Sequence, residues 1–124
     1  MSTTVRAIIV GLFFLFIFLS GVRLSRAGRP LNVGISTIHK LISLAAGVFL
    51  LMTIYQRNGV VPLNATEWIT IVVTGVCFAG TVASGGLLSS DNPMPVTVLR
   101  VHQIVPVLTA LATGVALYLL LGRM

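Results

Sequence analysis

Acidic side chains are almost absent from this chain. Glu67 and Asp91 are the only two in 124 residues, against eight lysines and arginines. Both stand at the ends of apolar stretches, and no nucleophile–base–acid set lies within one, which argues against a hydrolytic enzyme. There is one cysteine, Cys77, so no internal disulfide can form, and in the middle of an apolar run it reads as a small packing residue. Charged residues of either sign amount to 8% of the chain, whereas 56% is apolar and the mean hydropathy is +1.08. A soluble domain of this size cannot bury so much apolar surface, so the excess must face lipid.

Four apolar stretches carry that surface, at Val5–Val22, Ile35–Tyr55, Glu67–Leu88 and Val96–Leu121. Each is near the ~20 residues a spanning helix needs. The short connections predict an all-α integral membrane protein, a single transmembrane domain over 1–124 built as an up-down-up-down four-helix bundle. The first stretch is read as a helix and not as a cleaved leader. Arg23-Leu24-Ser25-Arg26 follows it, with no small-residue cleavage pattern.

The net charge of +6 is scattered over segment ends, where cations reach headgroups, and is not a nucleic-acid footprint. Arg23, Arg26, Arg29, Lys40 and Arg100 share one membrane face with Asp91; Arg6, Arg57 and Arg123 share the other with Glu67. The basic excess places the first face in the cytoplasm, with both termini outside, and the expected membrane is the bacterial inner one. Tyr55, Trp68 and Tyr118 fall at the opposite face, where amphipathic rings anchor. Asn64-Ala65-Thr66-Glu67 has capping-box spacing, with Asn64 as N-cap of the third helix. Asp91-Asn92-Pro93-Met94-Pro95 reads as a turn leading into the fourth.

Histidine is as rare as acid, and its two occurrences, His39 and His102, lie 63 residues apart, half the chain. Each falls near the start of the second helix of a hairpin, on the face rich in basic residues. Thr37-Ile38-His39-Lys40-Leu41-Ile42 parallels Arg100-Val101-His102-Gln103-Ile104-Val105 in character. Two like-oriented hairpins related by an axis along the membrane normal would bring the histidines to equal depth. Two turns beyond them stand Ala46-Gly47 and Thr109-Ala110, all small. These residues either leave a gap for a flat ligand or let helices approach closely. Gly75, Ala79 and Ala83 repeat the small spacing in the third helix, where close packing is expected. Gly85-Gly86 would admit backbone or a flat ligand. Pro106 cannot donate to the carbonyl of His102 and should loosen the helix there.

An intramembrane ionisable residue marks a functional site by default. Neutral imidazole is a common metal ligand, and two suffice for the axial positions of one haem, whose porphyrin supplies the equatorial nitrogens. They are too few for structural zinc. Haem propionates would meet Lys40, Arg100 or the first-loop arginines. The second nitrogen of each ring needs a partner, with Ser43 and the backbone as candidates. On His39 and His102, the chain resembles the membrane-bound b-type cytochromes, meaning the b561-like proteins and the haem-carrying anchors of respiratory dehydrogenases. The resemblance implies one bis-histidine haem b between the second and fourth helices, electron transfer, a quinone as a possible reactant, and partner subunits or further copies of the chain. Separate ligation of magnesium chlorins, an accessory subunit with structural histidines, and a small transporter stay open. For the transporter, the membrane-embedded carboxylate that small multidrug exporters carry in their first helix is missing here.

Overall fold

In the computed structural model, which describes residues 2–28, 31–90 and 92–122, the described residues form four helices and no strand. The helices are α1 (Thr3–Ala27), α2 (Val33–Val60), α3 (Ala65–Leu88) and α4 (Val96–Leu121). All four are long and apolar enough to cross a membrane. Their exposed surface is dominated by large apolar side chains such as Ile8, Leu19, Leu51, Val76 and Leu111. That is the surface of an integral membrane protein. Arg29, Asp91 and Arg123, used above to weigh the two faces, lie outside the described residues.

α4 has the predicted bounds, while α1 and α2 outrun theirs. At ~1.5 Å per residue a helix of α2's 28 residues is ~42 Å long, well beyond a ~30 Å hydrocarbon layer. The added turns hold Arg23, Ser25 and Arg26 in α1 and residues 56–60 in α2, which is more polar sequence that stays helical. Caps set the starts. The Ser2 side chain accepts from Val5 N at 3.2 Å, Asn32 from Ile35 N at 3.0 Å and Asn64 from Glu67 N at 2.8 Å. The Asn64 cap is the one the capping-box spacing predicts. Gly28, at φ 70°, ends α1 in a conformation an L side chain resists. α4 runs through Pro106 as one helix.

The chain divides into two compact units, residues 1–61 and 62–124, each an antiparallel helical hairpin. In the first, Arg6 near the start of α1 reaches the last turns of α2. Its Nη1 donates to Thr53 Oγ1 at 3.1 Å and its Nη2 to Gln56 Oε1. The Phe13 and Phe49 rings meet midway, centroids 6.1 Å apart. Arg57, expected among the headgroups, is instead fully buried, and its Nη1 donates to Val61 O at 2.9 Å, closing the end of α2. A buried guanidinium must be compensated by acceptors, and this carbonyl is one. Glu67 is also buried, behind its cap in the first turn of α3, where the helix dipole favours an anion.

In the second hairpin α3 and α4 meet along Gly80, Thr81 and Ser84. Thr81 Oγ1 lies 3.3 Å from Thr109 Oγ1. Thr109 therefore belongs to helix packing, the second of the two roles open to the small residues beyond the histidines. The spacing of Gly75, Ala79 and Ala83 misled in a different way. All three are exposed, and a Cβ on Gly75 would meet nothing within 4 Å. The face of α3 that packs on α4 is the one offset by a residue, carrying Gly80 and Ser84.

Candidate functional site

His39 and His102 are each the seventh residue of their helix, on α2 and α4. Both are half-buried, and each turns its ring toward the preceding helix of its own hairpin. There each meets a serine followed by a glycine, Ser20-Gly21 on α1 and Ser84-Gly85 on α3. Ser20 Oγ lies 2.7 Å from His39 Nδ1, and Ser84 Oγ lies 3.0 Å from His102 Nδ1. The glycines make room for the rings. A Cβ on Gly21 would come within 3.3 Å of His39 Cε1, and one on Gly85 within 2.9 Å of His102 Cε1. The second distance is shorter than real Cβ contacts, so only glycine lets the His102 ring lie where it does. Gly85 thus admits an imidazole, as its lack of a side chain suggested. Gly86 has nothing within 4 Å and plays no such part.

Each serine hydroxyl also lies 3.0 Å from a carbonyl three residues back on its own helix, Ser20 Oγ from Ile17 O and Ser84 Oγ from Thr81 O. A hydroxyl carries one proton, which it can give to the carbonyl or to the imidazole, so either partner can be the donor in the Ser20–His39 contact. For His102 the direction is set, because its Nδ1 is also 3.1 Å from Thr81 O and a carbonyl can only accept. Nδ1 therefore carries a proton in His102, and Ser84 accepts from it.

Ser43, a candidate partner for the His39 ring, does something else. Its Oγ donates to the backbone carbonyl of His39 at 2.7 Å, one turn back on α2. The ring's partner is Ser20, 19 residues earlier. Neither Ser20 nor Ser84 stands out in the sequence, because an isolated serine in an apolar helix usually bonds its own backbone. The signal was a recurrence. Ser-Gly appears twice at a spacing of 64 residues, beside histidines spaced by 63.

Lys40 and Arg100 are exposed. One and two residues from their histidines, they project about 100° and about 200° around the helix from them. Neither takes part in the Ser–His contacts. Among the described residues no three His, Cys, Asp or Glu side chains are grouped as a metal cage. A metal held by these imidazoles must therefore bring most of its own ligands. Compared with known proteins, the chain matches no family model, no curated protein and no solved structure.

Proposed function

We propose that this chain is a membrane electron-transfer protein of the b-type cytochrome class, in which His39 and His102 would be the two protein ligands of one haem b. It would pass single electrons within a larger membrane complex, such as a respiratory one in the bacterial inner membrane, with quinone or a neighbouring subunit as the other reactant. One observation carries the reading. Both hairpins hold their histidine by the same Ser-Gly arrangement, through Nδ1 and at the same helical position.

When bound, haem supplies a one-electron Fe(III)/Fe(II) couple and four of the six metal ligands. The chain's residues would do the rest. His39 and His102 would each donate a ring-nitrogen lone pair, and Ser20 and Ser84 would hold the rings through Nδ1. Of the two cations proposed for the propionates, Lys40 is the better placed, because Arg100 leaves α4 on the side away from His102. A second reading has its own support. Each Ser–His arrangement is complete within one hairpin, as ligation of two separate magnesium chlorins would require.

The test is the absorption spectrum of protein purified from haem-sufficient cells. A Soret band, paired low-spin α and β bands on reduction, and one haem per chain are expected. His39→Ala and His102→Ala should each abolish the low-spin bands. Colourless protein, or bands that survive either substitution, sinks the proposal. Two pigments per chain, each lost with one histidine, would select the chlorin reading.

A further inference from the structure

The net charge of +6 lies wholly in the first half of the chain. Residues 1–61 hold six lysines and arginines and no acid, whereas two arginines and two acids cancel in residues 62–124. Arg6, the fourth residue of α1, shows the consequence. Among the described residues both of its acceptors are neutral, the Thr53 hydroxyl 3.1 Å from Nη1 and the Gln56 side-chain carbonyl at Nη2. Its Nε is shut off from solvent and meets no acceptor among them. A guanidinium carries five N–H donors and a fixed positive charge. The two bonds occupy two donors and leave the charge unmatched, which is costly where water is scarce.

An apolar groove adjoins this cation. Gln56, which Arg6 holds, lines it together with Leu51, Met52 and Tyr55, around a volume of about 450 Å³. At ~100° per residue the four side chains form one contiguous arc of α2, with Gln56 at the edge nearest Thr53. Val48 and Leu44, both exposed, continue that arc toward the middle of the span. Cation and groove meet at the open end of the hairpin, where a spanning hairpin passes the headgroups, and the exposed Tyr55 suits that level. Gln56 is exposed too, so the Nη2 end of the arginine fork is open to an outside anion. Arginine takes phosphate by charge-assisted hydrogen bonds, and an apolar track runs inward from the place where the phosphate would lie. We infer that Arg6 and the groove of Leu51, Met52, Tyr55 and Gln56 bind one anionic phospholipid of the surrounding membrane, its phosphate on Arg6 and an acyl chain along α2. The site lies ~21 Å along α1 from Ser20 and does not depend on what His39 holds.

The experiment follows backbone hydrogen exchange of the full chain in lipid discs, made of phosphatidylcholine alone or with equimolar phosphatidylglycerol. Phosphatidylglycerol should slow exchange about fivefold in the first turns of α1 and the last turns of α2. Gln56→Glu keeps an acceptor on Arg6 and sets a carboxylate beside it. That variant should be protected at the same turns in phosphatidylcholine and gain nothing further from phosphatidylglycerol. Equal exchange of the wild type in the two lipids overturns the inference, as does a phosphatidylglycerol effect that survives Gln56→Glu. Protection confined to the end holding Arg23 and Arg26 also overturns it, because attraction of loop cations would then account for the whole effect. Inorganic phosphate added to phosphatidylcholine discs should not protect; if it matches phosphatidylglycerol, the ligand is a free anion and the lipid site is wrong.

Discussion

Gly85→Ala should injure this protein, whereas Gly11, Gly59, Gly75, Gly86 and Gly114 leave open space for an added Cβ. The added Cβ would lie 2.9 Å from His102 Cε1 and 3.4 Å from Nδ1. The obstructing atom is not the loose end of a flexible side chain. The ring is pinned by hydrogen bonds from Nδ1 to Ser84 at 3.0 Å and to Thr81 at 3.1 Å. It must either turn and weaken those bonds, at about 1 kcal/mol each, or push α3 and α4 apart. Overpacking of this kind costs about 1–3 kcal/mol. The gain in helix propensity, at most about 1 kcal/mol, does not offset it. The net expectation is a loss of about 1–2 kcal/mol, accompanied by disturbance of the His102 ring. Gly21→Ala meets His39 Cε1 at 3.3 Å, where a shift of a few tenths of an ångström suffices, so cost and gain should nearly cancel. Gly86→Ala meets nothing within 4 Å and should be neutral or mildly stabilising. Unfolding of the three variants in mixed detergent micelles gives the ranking, with Gly85→Ala the least stable. If Gly85→Ala proves as stable as Gly86→Ala, the close approach of His102 to α3 is wrong, and the site geometry fails with it.

Two further substitutions probe the scaffold. Asn64→Ala removes the acceptor for Glu67 N and should cost about 1 kcal/mol in the same unfolding assay, with Asn64→Asp close to wild type. Arg6→Met keeps the length and loses the bonds to Thr53 and Gln56, and should destabilise the first hairpin by about 1–3 kcal/mol. Hydrogen exchange should then rise in the first turns of α1 and the last turns of α2, and a uniform rise along both helices would contradict the local clamp.

Hydropathy was sufficient for the helices and insufficient for their ends. It weighs lipid-compatible sequence only, so it located α4 fully but stopped short in α2. There Gln56–Val60 stays helical because Arg57 closes the terminus through Val61 O. The histidines were legible because an imidazole in an apolar helix is costly and calls for a reason. Their partners were not. A serine–histidine bond between helices depends on which faces meet, and periodicity does not settle that when apolar residues surround the whole helix. The exposed Gly75–Ala83 stripe shows the same limit. Small residues mark where helices are able to approach, not where they do.

The Ser–His contacts span only 19 and 18 residues of chain, one inside each hairpin. This bears on the order of assembly. Orientation of each ring requires nothing beyond the two helices that flank it, so it can be complete as soon as that pair has entered the bilayer. The first imidazole would be set while the second half of the chain was still on the ribosome. A ligand arriving later would find nitrogens already aimed, and the entropy of ordering those side chains would have been met during insertion and not at capture.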